Sequence, residues 1–297
     1  MSIRSPLDLA VPRNRTAAMQ LLQRLVGREG HRYSCGGAIA AGKVPRFLEK
    51  MASRYPAILR NTRERSYDRR RGRAAMHMIL CPPINGAPAT RSPVFEWWLL
   101  SDDGGGGLAD PSSADAHVAV DAMSADSHLI VHDYVLLYAT KRTPHTVTDR
   151  RTGHVKRIWT DTSSWTWRIR GPVLAEIRAS IDACCQSLEL GETPLDGGVC
   201  SGLRGLLAAQ RVRPLFAGVR NQVIELHRYA ADVWPRHRAA WVAAHPRLAQ
   251  DQDSAVSSPF PSARELIAVL PTMRQIRIYG TPARTIGDLL KSSSATQ

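Results

Sequence analysis

A chain of 297 residues in which 43% of the side chains are hydrophobic carries enough apolar material for one large domain or two modest ones, which excludes global disorder. It has no run of 18 apolar residues, so no transmembrane helix and no membrane partner are expected. Its opening, MSIRSPLDLAVPRNR, lacks the apolar core of a secretory signal, so a cytoplasmic location is expected. The formal net charge of +14 is unevenly placed: residues 1–75 hold 17 Lys or Arg against 5 Asp or Glu, whereas residues 101–133 hold seven aspartates and no Lys or Arg. A basic face of this kind attracts phosphate backbones by releasing their counterions.

In chain order, residues 14–27 place Met19, Leu22 and Val26 at helical spacing, widened by Leu21 and Leu25, with Asn14 as N-cap and Gly27 as stop. HRYSCGGAIAAG reads as a short strand or turn. Residues 44–61 read as a helix with Val44, Phe47, Leu48 and Met51 inward, ended or kinked by Pro56. The segment 60–73 contains seven arginines and runs into AMHMILCPP, a strand ended by prolines. VFEWWLL is a further strand, and SDDGGGGLADPSSADA a mobile loop, since consecutive glycines prefer no one conformation. Residues 128–141 read as a strand or strand pair, RTGH as a turn, and residues 158–170 as an alternating strand. After Gly171 the pattern turns helical, over 173–190, 201–209 and 218–244, the last as one or two helices interrupted near Pro235. Residues 248–262 read as a surface loop, MRQIRIYG at 273–280 as a late strand, and SSSATQ as a frayed tail. The order implies an α+β fold: an antiparallel-dominated, ferredoxin- or RRM-like sheet with flanking helices and a mainly helical second half. The expected division is a basic sheet domain over 1–170 and a helical region with a late strand over 171–297.

Four groups of residues bear on chemistry. Arg60, Arg63, Arg65, Arg69, Arg70, Arg71 and Arg73 surround only Glu64 and Asp68. Such crowded like charges either form a solvated linker between helix and strand or ask for an anion, a phosphate backbone or the Asp-rich segment folded against them. Tyr33, Tyr67, Trp97, Trp98, Tyr134, Tyr138, Trp159, Trp165 and Trp167 all fall in or beside strands, where they suit a base-stacking platform or a core. Trp97 and Trp98 point to opposite faces, whereas Trp165 and Trp167 share one. Histidine titrates near neutrality and suits acid–base cleavage of RNA. His31, beside Arg32, Tyr33 and a glycine turn, is the candidate, whereas His77, flanked by apolar residues, reads as a core or sheet-face histidine. Asp102, Asp103 and Asp110 offer oxygen ligands, but their spacing does not match a two-metal nuclease. In the helical half, Arg220, Arg228, Arg236 and Arg238 lie along one element able to grip a duplex or to pack as an ordinary amphipathic helix. The five cysteines, Cys35, Cys81, Cys184, Cys185 and Cys200, match neither a zinc site nor a disulfide framework. No metal or cofactor is expected.

The stretches RYPAILRNTRERSYDRRRGRAAMHMIL, FEWWLLSDDGGGGLADP, WTWRIR and RPLFAGVRNQVIELHR, with the size and basicity, resemble in general plan the repeat-processing endoribonucleases of type IV CRISPR systems. These belong to the wider family of CRISPR RNA-processing proteins with ferredoxin-like folds. The resemblance implies an RNA-binding protein that holds a repeat hairpin with arginines, cuts it without metal to a 2′,3′-cyclic phosphate, and stays with other subunits of a ribonucleoprotein complex. On that reading the Arg cluster of 60–73 and the arginines after residue 218 hold the hairpin, and His31, Arg32 and Tyr33 lie near the cleaved phosphate. The alternative is a non-enzymatic DNA-binding protein for plasmid replication or maintenance.

Overall fold

The computed structural model describes residues 5–81, 93–124, 126–191, 202–244, 265, 268–270 and 273–294. In chain order the elements are α1 (Arg15–Glu29), β1 (Tyr33–Ala40), α2 (Val44–Arg54), α3 (Thr62–Arg70), β2 (Met76–Cys81), β3 (Val94–Ser101), β4 (Val120–Asp121), β5 (Ile130–Val131), β6 (Tyr134–Thr148), β7 (Val155–Ile169), α4 (Gly171–Gln186), α5 (Gly202–Arg211), α6 (Ala217–Ala244) and α7 (Ile286–Ser294). The fold is α+β, with antiparallel sheet flanked by helices. Contacts divide the chain into two units: Met1–Val131, Leu136–Trp165 and Gln275–Gln297 form one, His132–Val135 and Thr166–Arg274 the other. Residues 275–297 therefore belong with the sheet, not with the helices that precede them.

The first unit is built on a four-stranded sheet of order β2-β3-β1-β4, in which every neighbouring pair is antiparallel. Because α2 and α3 connect β1 to β2 while β3 fills the place between them, the arrangement is a split β-α-β, the ferredoxin-like order. The link from β3 to β4 contains, among the described residues, only a single 3-10 turn at Ala116–Val118. One sheet face, with Met76, Met78, Leu80, Phe95 and Leu99, packs on Val44, Leu48 and Met51 of α2 and on Ile286 and Leu289 of α7. α1 packs against β2 and buries Ala18, Leu22 and Leu25. The paired glycines of β1 fit the tryptophans opposite: Gly36 faces Trp98 and Gly37 faces Trp97. A Cβ on Gly36 would come within 2.8 Å of the Trp97 carbonyl oxygen.

Several sequence expectations are corrected. α1 does not stop at Gly27; it runs to Glu29 and is capped by Gly30 at φ 75°. Gly27 lies within the helix because a Cβ there would meet the Trp165 ring at 2.8 Å. The glycine run is not a mobile loop: a Cβ on Gly104 would lie 2.4 Å from the backbone of Arg73 and Ala74, so only bare backbone fits. Residues 273–280 form no strand. Their polar backbone is satisfied by α1 and its approach instead, through Arg13 N–H to Ile278 O at 2.9 Å and Ile276 N–H to Gln20 Oε1 at 3.0 Å. The expected frayed tail begins inside α7, which extends to Ser294. The surface-loop expectation for 248–262 falls outside the described residues.

The second unit is helical. α4, α5 and α6 close around Ile177, Ile181, Cys185, Leu203, Leu207, Leu226 and Trp234. α6 is one helix of 28 residues that continues through Pro235. It meets the base of β7 through Gln222, whose side chain accepts from Ile169 N–H at 2.7 Å and donates to Ile169 O at 3.1 Å, as a neighbouring strand would. Trp167 is fully buried there and meets Phe216.

Candidate nucleic-acid interface

The arginine-rich segment folds as α3, and its two acids are both consumed by that folding. Asn61 and Glu64 form a reciprocal capping box: Asn61 Oδ1 accepts from Glu64 N–H at 3.0 Å, and Glu64 Oε2 accepts from Asn61 N–H at 2.7 Å. Asp68, only 2% exposed, is paired by Arg60 Nη1 at 2.7 Å. The seven arginines then fall into two sets. Arg60, Arg65 and Arg69 are engaged by the protein: Arg65 donates to Arg60 O, and Arg69 donates to Asp102 Oδ2 at 2.7 Å and to Glu29 O at 3.0 Å. Burial holds the Arg65 guanidinium below the usual arginine range. Arg63, Arg70, Arg71 and Arg73 are exposed. Arg71 lies over the Tyr67 ring at 4.4 Å. The other three have no side-chain partner among the described residues.

The Asp-rich segment serves as internal counter-charge. Asp102 pairs with Arg69, Asp115 with Arg54 at 2.7 Å and Asp121 with Arg32 in a bidentate contact of 2.5 and 3.1 Å. Asp102 also accepts from Ala75 N–H at 2.9 Å, and Asp110 accepts from Gly106 N–H and Ser112 N–H. These two carboxylates therefore close turns rather than present a metal site.

The expected catalytic trio lies at the start of β1. His31 has no exposed surface and packs edge-on against His77, ring centroids 4.7 Å apart. Arg69 Nη2 sits 3.2 Å from His31 Nε2. Burial, reinforced by Arg69, pushes the His31 pKa down to about 4. Burial, with Arg65 next, pushes His77 down to about 2. Both are neutral imidazoles at pH 7. Arg32 is held by Asp121, with its guanidinium 5.1 Å from the Tyr33 ring. Tyr279 is half-buried beside Arg24, Arg65 and Glu29, and desolvation raises its pKa. His77, read as a core or sheet-face residue, is therefore a direct neighbour of His31, and its buried Nε2 has no hydrogen-bond partner. Glu29, His31 and His77 bring ligand atoms within 4.8 Å of one another, close enough for a metal ion. An entering cation would there meet the Arg69 guanidinium, so the donor set fits a metal poorly.

Trp97 and Trp98 of the four-stranded sheet are not a stacking platform. Trp98 is buried and donates to Ile130 O at 3.3 Å, and Trp97 packs on Phe47 at 4.8 Å. Of the α6 arginines, Arg220 donates to Leu270 O at 2.6 Å. Arg228 and Arg236 are exposed and Arg238 half-buried. α6 thus offers two exposed arginines, Arg228 and Arg236, spaced two turns apart.

The sequence reading named Tyr138, Trp159 and Trp165 as stacking candidates but missed the length and the basic residues of the β6–β7 hairpin that carries them. The strands run far beyond the residues predicted for them, to Thr148 and from Val155, and every residue of 144–164 is exposed. Lys141, Arg142, Arg150, Arg151, Lys156 and Arg157 lie along it. The available signal was the density of β-branched residues in HTVT and HVKRIWTDT. No helix among the described residues is long and apolar enough to cross a membrane. Against known protein families, curated proteins and solved structures, the chain gives no match.

Proposed function

We propose that the protein binds RNA, with Arg63, Arg70, Arg71 and Arg73 on its phosphate backbone. The observation that carries this reading is the division within α3: both acids of the segment are engaged internally, and the outward arginines are left in solvent with no carboxylate among the described residues to neutralise them. A solvated arginine cluster of one sign is a phosphate-binding surface in physical terms. The choice of RNA over DNA rests on the resemblance to CRISPR repeat-processing proteins. The reading is one of binding rather than cleavage, because His31 has no surface to offer a 2′-hydroxyl and Arg32 is committed to Asp121.

The test is a salt titration of binding, by fluorescence anisotropy, to a labelled RNA hairpin and to a DNA duplex of equal length. Replacing Arg63, Arg70 and Arg73 by Ala flattens the slope of log Kd against log salt by about 2, as expected for three lost phosphate contacts. Identical slopes for wild type and variant, or no RNA binding at all, would overturn the proposal. A clear preference of the wild type for duplex DNA would select the plasmid-maintenance reading instead.

A further inference from the structure

The β6–β7 ribbon is a part of the first unit that the core does not use. Its base is anchored: Trp165 fits over Gly27, and Gln23 Nε2 donates to Trp165 O at 2.7 Å. Beyond that point both of its faces lie in water. Its large apolar side chains are nonetheless retained there, with Val147 47%, Val155 64%, Ile158 42% and Trp159 51% exposed. Apolar side chains grouped on an exposed element mark a contact surface.

The charge on the ribbon selects the kind of contact. Residues 141–157 contain six Lys or Arg and a single acid, Asp149. That carboxylate is turned into the hairpin, where it accepts from Arg151 N–H at 2.8 Å and Thr152 N–H at 3.3 Å. The arm is therefore strongly cationic, with Asp149 as the one carboxylate of residues 141–157.

Register then arranges the side chains. Tyr138 faces Trp165, Thr140 faces Ser163 at 2.8 Å, and Asp149 N–H donates to His154 O at 2.9 Å, so one register holds along the hairpin. Side chains alternate across a strand, which puts Tyr138, Arg142, Arg157, Trp159 and Trp165 on one face. The guanidinium carbons of Arg142 and Arg157 lie 5.8 and 5.4 Å from the Trp159 ring centroid. An exposed indole flanked by two arginines on a basic ribbon has the components of a base-stacking platform.

We infer that this face binds an unpaired stretch of RNA, with a base stacked on Trp159 and neighbouring phosphates held by Arg142 and Arg157. The inference rests on the RNA-binding reading above but uses different residues. Unpaired RNA is the occupant because a stacking platform needs a free π-face, which a duplex hides within its stack. The major groove of an RNA duplex is also too deep and narrow for side chains to read. A B-form DNA major groove does admit a two-stranded ribbon, and this is the rival occupant.

The full-length protein is titrated with a labelled single-stranded RNA of about 12 nucleotides, with the same RNA annealed to its complement, and with a DNA duplex of equal length. Trp159→Ala is expected to weaken single-strand binding about tenfold and duplex binding by less than about twofold, with Trp159→Phe restoring most of the loss. Arg142→Ala with Arg157→Ala is expected to weaken the same binding and to flatten its salt dependence by about one unit of slope. Far-ultraviolet circular dichroism and thermal melting confirm that the variants fold, as expected for exposed positions. If Trp159→Ala binds single-stranded RNA like the wild type while the α3 triple variant is impaired, this inference fails and the proposed function stands. If Trp159→Ala weakens duplex DNA more than single-stranded RNA, the ribbon is a groove reader and the inference fails. If the wild type binds no RNA, both fail.

Discussion

Trp98 in β3 and Trp159 in β7 are both strand tryptophans, yet one is 7% exposed and the other 51%. The same contrast runs through the charges around them. Near the four-stranded sheet, Arg32, Arg54 and Arg69 each meet an aspartate of the 102–121 stretch. On the ribbon, Arg142 and Arg157 lie against an indole. Residue type therefore does not separate scaffold from surface here; the presence of a second layer and a counter-charge does. A sheet covered on both faces converts aromatics into core and arginines into ties. A ribbon with no covering layer leaves both in solvent, available to a partner.

The largest expected effect is on stability and separates the two tryptophans directly. Trp98→Ala removes a buried indole and should cost about 3–5 kcal/mol in urea unfolding. Trp159→Ala should change stability by no more than about 0.5 kcal/mol while impairing RNA binding. Comparable destabilisation by the two substitutions would mean that the ribbon is covered by something and would remove the distinction between the regions.

The histidine pair sharpens the contrast on the sheet side. Both folded-state pKa values lie below the ordinary 6.5, at about 4 for His31 and about 2 for His77. Below pH 6.5 the unfolded chain takes up protons that the folded chain refuses, so stability is complete above that pH and falls as pH drops through 6.5 toward 4 and below. Each histidine contributes a slope of at most about 1.4 kcal/mol per pH unit. His31→Gln should flatten the fall measured by urea unfolding between pH 6.5 and 4.5. An unchanged slope would mean that the pair is open to protonation in the folded state, which would return His31 to consideration as an acid–base group.

Much of this architecture could be read from the chain. The apolar spacing of α1 and α2, the strands β2 and β3, the capping role of Asn14 and the opposite faces of Trp97 and Trp98 follow from local periodicity, which a sequence displays directly. α3 was legible too, since Asn61 and Glu64 stand at capping-box spacing, but the density of arginine masked it. The His31–His77 contact was not legible, because it depends on β3 pairing with both β1 and β2, two strands that are not themselves neighbours. The glycine run was misread for a related reason: freedom of backbone and need for close approach place the same residue in a sequence, and only the facing backbone of Arg73 and Ala74 decides between them. The ribbon was truncated because Pro144 and the polar composition of 141–157 resemble a loop, while strand formation there depends on pairing across a turn rather than on burial.

The finest version of the comparison lies at the start of the arginine-rich segment, between Arg60, just before α3, and Arg63, in its first turn. Arg60 is the side-chain partner given to Asp68, a carboxylate with 2% of its surface exposed. Arg60→Ala leaves that carboxylate buried without its counter-ion, at an expected cost of about 2 kcal/mol, moderated by the partial exposure of the arginine. Arg63 has no partner among the described residues, so Arg63→Ala should alter stability by less than about 0.5 kcal/mol. The double variant Arg60→Ala with Asp68→Asn should recover part of the Arg60→Ala loss, because a neutral amide is cheaper to bury than an unpaired carboxylate. Binding should order the two single variants the other way: Arg63→Ala lowers affinity for RNA at low salt, whereas Arg60→Ala at matched folded fraction leaves it near wild type. If both arginines affect stability and binding in the same proportion, the inward and outward sets are one surface, and the division that supports phosphate binding by α3 does not hold.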